Sequence, residues 1–411
     1  MMNRRDLLFA GGLSVLAGAR GANPAAAAGQ AQQQSPQVAR LLEALRTNRL
    51  PMTMGDGPAG RGWDWLVEEA HNARFTLIGE EHGVAETARL SAALFTALRD
   101  SGYSRLAIEL SPIIAQDIEA AARTNGLDGV LNFFGLPNTW SPFYLREEAQ
   151  LLASAISVVP RNEHVLWGLD RELFSAPYLI SKLKVRVPPS AREILVHLQD
   201  LYSTAQDPAG VSALRAAWPN PDRESDTILR TLEESLAITA AARINGWAYS
   251  QRRAQWNRDN LAERLRDERT RGTSPKVMLK FGYNHMIRGA NYVNTFDVGA
   301  MTDEVAALDG GHAFHIIVLP GPGSRQAVMG QGHNMVTVAS DEWDDFQAGE
   351  QRLTRVLPNA DATGHEVIDL RALRPLAMRG LETWNPDVIR TIHGFDAAVI
   401  WKGAHASTAV E

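Results

Sequence analysis

The sequence predicts an α/β protein: a single central mixed, largely parallel sheet flanked by helices, with a helical insertion over the carboxyl edge of its strands. Two observations predict it. Short apolar runs that end in glycine or a polar residue alternate with stretches of helical period along most of the 411 residues, as when strands are joined by crossover helices. Between Glu172 and Arg271 the strand signals stop while helical periods continue. The 45% apolar content is that of an ordinary globular core.

Arg4 and Arg5, an apolar stretch from Leu7 to Ala19 and the small residues Ala25 to Ala28 read as an export signal over residues 1–28. The apolar stretch is shorter than the ~20 residues a membrane span needs, so no stable span is expected after cleavage. The arginine pair points to a twin-arginine route and a periplasmic or secreted destination. Residues 29–50 read as a polar linker and a leading helix, and 51–411 as one α/β domain containing the insertion 172–271.

"FTLIG" (75–79) is the first strand, followed by a helix over "VAETARLSAALFTALRDSG" whose Val84, Leu90, Leu94 and Leu98 fall near one face. "RLAIEL" (105–110) is the next, and Ser111-Pro112 after it is a helix-start signal. "HVLWGLD" (164–170), "KVMLKFG" (276–282), "FHIIVLPG" (314–321) and "AAVIWKG" (397–403) are further strands. In the insertion, "SAREILVHLQDLYSTA", "SDTILRTLEESLAITAAARI" and an arginine-rich run from Tyr249 to Gly272 carry helical periods, broken at "WPNPDRES".

Composition narrows the chemistry. With no cysteine there are no disulfides, thiolate metal sites or thiol nucleophile, which leaves His, Asp and Glu. A net charge of −6 is wrong for nucleic-acid binding, and the arginine-rich run interleaves its cations with acids as a solvated helix does.

In open α/β sheets ligands sit outside the carboxyl ends of the strands, where the following loops converge. Four strands here end in ionisable residues: Glu80, Glu81 and His82 after the first, Glu109 in the second, Asp170 after the third, and Tyr283, Asn284 and His285 after the fourth. One such residue is common, but four together are what an active site assembled from loops looks like. Bland readings stand beside this one. Glu81 or Glu86 would be welcome at a helix N-terminus, Asp170 could cap the next segment, and His285 could be a loop histidine. Glu109 is different, because a carboxylate in a buried strand costs several kcal/mol unless paired, so it needs His82 or an arginine.

His312 and His315 in "GHAFH" would point to opposite faces of a strand, so a metal pair is not expected. "GPGSRQ" lacks a phosphate-loop pattern, and no G-x-S-x-G nucleophile elbow is found. "LPNTWSPFYLRE" offers Trp140, Phe143 and Tyr144 as an aromatic lip for substrate or as plain packing.

Taken in order, "GEEHGVAE" (79–86), "AIEL" with Glu109, "WGLD" (167–170), Arg253 with Asn260 seven residues on, "KVMLKFGYNHMIRG" (276–289) and the closing "FDAAVIWKGAHAST" resemble the erythromycin esterase family over nearly the whole chain after the leader. Gly79-x-x-His82 is also similar to the G-x-x-H of a wider superfamily that includes Tiki-type metalloproteases and haem-binding iron-uptake lipoproteins. The resemblance implies a hydrolase of small-molecule esters, lactones or amides that needs no cofactor. His82, oriented by Glu80 or Glu109, would activate water. His285 would protonate the leaving group, or stabilise the oxyanion together with Arg253 or Asn284. Tyr283 and Asp170 would complete the substrate site. The alternatives are a hydrolase using one divalent cation on His82, Glu80 or Glu109, and His285, and a non-catalytic haem-binding protein.

Overall fold

A computed structural model describes residues 36–172, 174–202, 208–330, 334–340, 364–379 and 386–410. The export signal and most of the linker read from the sequence lie outside these residues.

The chain begins with helix α1 (Pro36–Thr47), strands β1 (Arg49–Met54) and β2 (Pro58–Ala59), and α2 (Arg61–Asn72). The alternating core follows: β3 (Phe75–Glu80), α3 (Ala85–Ala97), β4 (Tyr103–Ile108), α4 (Pro112–Phe134), α5 (Arg146–Ser157) and β5 (Leu166–Gly168). Helices α6 (Ala176–Lys184), α7 (Arg192–Tyr202), α8 (Pro208–Ala217), α9 (Arg223–Ala241) and α10 (Gly246–Thr270) make up the region where strand signals stop. Then come β6 (Lys276–Gly282), α11 (Tyr283–Met286), α12 (Val298–Leu308), β7 (Ala313–Pro320), β8 (Arg325–Met329), β9 (Met335–Ala339), β10 (His365–Asp369), α13 (Arg374–Arg379), α14 (Pro386–Gly394) and β11 (Ala397–Trp401).

Nine strands form one sheet in the order β2-β1-β10-β11-β7-β3-β6-β4-β5, while β8 and β9 pair as a separate hairpin. From β11 to β5 every pairing is parallel, and β10, β1 and β2 add an antiparallel edge. The sheet is therefore mixed and largely parallel. All six strands expected from the sequence are present, and β1, β2, β8, β9 and β10 are additional.

Both faces of the sheet are covered, which is why its strands read as unbroken apolar runs. Successive side chains alternate between the faces. Ile78, Leu106, Met278, Ile316 and Val399 join one apolar cluster, and Leu77, Ala107, Leu279, Ile317 and Ile400 join the other.

Helix α10 matters most for the site. Asn245 caps its start by accepting from the Ala248 N–H at 2.7 Å, which fixes where its first turn begins. Counting from that start, Arg253, Asn257 and Asn260 fall on one buried stripe. Asn260 donates to the Leu169 carbonyl at 2.8 Å and Arg253 reaches Asp170, so the helix is tied across the carboxyl ends of β4 and β5. Among the described residues no helix is long and apolar enough to cross a membrane.

Candidate active site

Because β3, β6, β4 and β5 run parallel side by side, their carboxyl ends meet at one edge. Glu80 ends β3 in register with Gly282 at the end of β6; Glu109 follows β4 and Asp170 lies just past β5.

Glu109 is the centre. Its Oε1 accepts from Arg253 at 2.6 Å and its Oε2 from the Gly282 backbone N–H at 2.7 Å. Two imidazoles approach the same carboxylate, His82 with Nε2 3.7 Å from Oε2 and His285 with Nε2 3.6 Å from Oε1. On its far side each ring is bonded through Nδ1 to an acid of its own: His82 to Glu80 Oε1 at 3.0 Å, His285 to Asp297 Oδ2 at 2.7 Å. Asp297 is itself fixed, since it caps α12 and accepts from the Val298 N–H at 2.7 Å.

Gly282 leaves room for the His82 ring. A Cβ there would stand 3.0 Å from His82 Nε2 and 3.6 Å from Glu109 Oε2. The Phe143 ring meets His82 edge to face at 4.8 Å and walls a recess of about 30 Å³ that Glu80, Glu109, Glu148 and Lys280 also line. That is room for about one ordered water. Lys280 donates to Glu80 Oε1 and to Glu148 Oε1, both at 2.7 Å. The His82 side chain is 39% exposed, so the centre is reachable from solvent, whereas that of His285 is 8% exposed.

Charge explains the protonation states. Five buried acids, Glu80, Glu109, Glu148, Asp170 and Asp297, face two buried cations, Lys280 and Arg253, so the site favours added positive charge. Burial works against a charged imidazole at His82, but Glu109 and then Glu80 outweigh it and raise its pKa above the ordinary 6.5. At His285 burial is likewise opposed by Asp297 and Glu109, against Arg253, and the pKa is raised. Burial would lift Glu109, yet His285, His82, Arg253 and the Gly282 N–H hold its carboxyl down at about 2.

Of the residues singled out from the sequence, Glu80, His82, Glu109 and His285 come together in one cluster. Arg253 and Asp170 pair with each other behind Glu109, through Nε to Oδ1 at 3.0 Å and through the shared terminal nitrogen. Asn284 accepts from the Tyr292 N–H at 3.2 Å, and Tyr283 packs edge to face on Tyr292 with ring centres 5.4 Å apart. Glu81 is buried, and its N–H bonds the Val318 carbonyl. Glu86 binds both the backbone N–H and the ring of His405. His315 is buried against the Met286 carbonyl while His312 is exposed. In the aromatic loop only Phe143 reaches His82; Tyr144 stacks on Phe134 and Trp140 meets Phe174.

Strand-end reasoning misses Lys280, Glu148, Asp297 and Asn257. Lys280 had a signal, a lone cation inside the apolar run of β6; Asp297 and Glu148 have none, being ordinary acids at helix starts. Asn257 lies between two acids, its amide donating to Asp297 Oδ1 at 3.4 Å in one orientation and to Asp170 Oδ1 at 3.2 Å in the other. Among the described residues no group of three or more His, Asp or Glu is arranged to hold a metal ion.

No family model matches the sequence, and no curated protein matches it significantly. Solved structures do. A protein from Bacillus cereus is 14% identical, covering 90% of this chain and 99% of its own, with a TM-score of 0.59. A succinoglycan biosynthesis protein is 12% identical over 93% and 100%, with a TM-score of 0.61. A variant of erythromycin esterase EreC in its open conformation is 14% identical over 85% and 95%, with a TM-score of 0.58. At these identities what is shared is the fold.

Proposed function

We propose that the chain is a hydrolase that cleaves an ester, lactone or amide bond of a small molecule with a water activated by His82. One observation carries this: two imidazoles, each bonded through Nδ1 to its own acid, aim their Nε2 atoms at one ionised carboxylate, 3.7 and 3.6 Å away. The fold shared with an esterase agrees with the reading.

An acid on Nδ1 fixes the proton there and leaves the Nε2 lone pair free to act as a base. In the reaction, His82 Nε2 takes a proton from water as the water oxygen bonds to the carbonyl carbon. The bond from that carbon to the leaving oxygen or nitrogen then breaks, and His285, protonated through its raised pKa, gives Nε2–H to the departing atom. Glu109 stays ionised between the two rings and stabilises whichever imidazolium is present. Arg253 holds Glu109 and Asp170 in place from behind. No step requires an added cation, so turnover should survive a chelator. The export signal puts the enzyme in the periplasm or outside the cell, which fusion of residues 1–28 to a reporter would test.

The deciding experiment is a screen of ester, lactone and amide panels with the wild type and His82→Asn. The variant should retain the far-UV circular dichroism of the wild type and lose about 10²- to 10⁴-fold in kcat. A folded variant with near-normal turnover would sink the proposal.

A further inference from the structure

Lys280 is in an unusual place for an ammonium group. It sits on β6, third from the end of a central strand of the sheet, in register with Ile78 on one side and Ile108 on the other. It is 5% exposed. A buried cation costs several kcal/mol unless paired, and an apolar residue at such a position is often at least as stable. Stability alone gives no reason for a lysine here, and the mechanism above makes no use of one.

Its contacts supply the reason. Glu80 Oε1 accepts two hydrogen bonds, from Lys280 Nζ at 2.7 Å and from His82 Nδ1 at 3.0 Å. Lys280 Nζ also donates to Glu148 Oε1 at 2.7 Å, so a continuous line runs Glu148–Lys280–Glu80–His82. We propose that Lys280 is a positioning residue of this site, which keeps Glu80 an ionised, accepting carboxylate and thereby dictates that Nδ1 of His82 carries the proton, with Glu148 anchoring the ammonium from the other side. This rests on the reading of His82 as the base.

The chemistry follows from what each group can donate. A carboxylate within hydrogen-bond reach can only accept, so Nδ1, 3.0 Å from Glu80, must be N–H, and the lone pair is left on Nε2, which at 3.7 Å lies beyond hydrogen-bond reach of Glu109. A protonated Glu80 would reverse this: its O–H would donate to Nδ1, and the proton would move to Nε2, where it blocks base catalysis. Burial pushes Glu80 toward that protonated form, but Lys280 and then His82 overcome it and hold its pKa down. At Glu148 the balance differs, because burial together with the nearby Glu80 charge prevails over Lys280 and its pKa is raised. The ammonium binds both acids, and it is at Glu80, the one that faces the histidine, that the ionised form prevails.

The test reads the tautomer directly. In ¹⁵N-histidine NMR of the full chain, at a pH above the His82 pKa and with the resonance assigned by His82→Asn, the wild type should show Nδ1–H. Lys280→Met should shift His82 to Nε2–H and lower kcat about 10²- to 10⁴-fold with KM little changed. Lys280→Arg should keep Nδ1–H and most of the activity. Because Lys280→Met strips the cation from two buried carboxylates and could fail to fold, Lys280→Met with Glu148→Leu serves as the second variant, with one such acid fewer and the same tautomer expected. If either variant folds and His82 keeps the wild-type tautomer, the proposal is overturned. The NMR readout needs no substrate, so the absence of hydrolysis would sink the hydrolase reading without touching this result.

Discussion

At the scale of single residues, the site is a set of proton positions held by acids, and its pH behaviour follows from them. The pKa of His82 is raised from 6.5, chiefly by Glu109 and Glu80 acting against burial, so in the proposed mechanism the base is protonated and idle at low pH and becomes competent only as pH rises through a value above 6.5. His285 must keep its proton, and its raised pKa provides the falling limb at higher pH. A plot of log kcat/KM against pH should therefore be bell-shaped with its acid limb above 6.5. The two limbs belong to the pair, because both rings interact through Glu109. With its own pKa held at about 2, Glu109 cannot produce the acid limb. An acid limb near 4 would assign the base to a carboxylate instead. Gly282 provides a steric test that leaves charge unchanged. In Gly282→Ala the new Cβ, 3.0 Å from His82 Nε2 and at an ordinary 3.6 Å from Glu109 Oε2, crowds the imidazole, which must give by a few tenths of an ångström. Misplacing a reacting group by a fraction of an ångström should cost about 10-fold or more in kcat, with the melting temperature nearly unchanged.

At the scale of elements, the loops that carry His82 and Phe143 are tied down by the last residues of the chain. His405 binds Glu86 through its backbone N–H at 2.9 Å and its ring at 2.7 Å, and Ser407 donates to the Gly83 carbonyl at 2.8 Å. Thr408 bonds Glu147 through its N–H at 2.8 Å and accepts from the Arg146 N–H, also at 2.8 Å. Ala406 and Ala409 bridge to Val84 and Leu145. Deleting residues 404–411 should lower kcat by about 10-fold, by freeing the His82 and Phe143 loops together. Stopped assays and thermal melts of the truncated chain would show whether the loss exceeds what destabilisation explains. The elements also show what could be read in advance. The six strands from β11 to β5 were legible because burial on both faces leaves an unbroken apolar run. Strands β1 and β10 were not, because β1 carries Pro51 and exposed positions, and β10 is half-buried and charged; both become strands by pairing at the edge of the sheet. Glu80, His82, Glu109 and His285 were legible by position at strand ends. Asp297 was not, and Lys280 stood out only as a lone cation in the apolar run of β6, since their role lies in which atom they bond across the fold, and sequence spacing carries no trace of that.

At the scale of the whole molecule, the site exists only when distant segments are assembled. Its acids and imidazoles come from the ends of β3, β4, β5 and β6 and the starts of α5 and α12, and its guanidinium from the middle of α10, spanning Glu80 to Asp297. The helical insertion is no independent appendage. Leu179, Leu195, Val211, Leu229 and Leu232 from its helices belong to the same buried cluster as Ile78, Met278 and Ile316 of the sheet. Arg253, from its last helix, neutralises Glu109 and Asp170, which would otherwise be two adjacent buried carboxylates. Removing that guanidinium should destabilise by about 3–5 kcal/mol, because both buried acids would lose their charge-assisted bonds to it. Unfolding should then be cooperative across sheet and insertion. In urea, far-UV circular dichroism, tryptophan fluorescence and the proposed hydrolytic activity should be lost in one coincident transition. Arg253→Met should move that transition to lower urea without splitting it. If activity and fluorescence vanished well before the sheet signal, the insertion would be unfolding on its own. The single core drawn from these contacts would then be wrong.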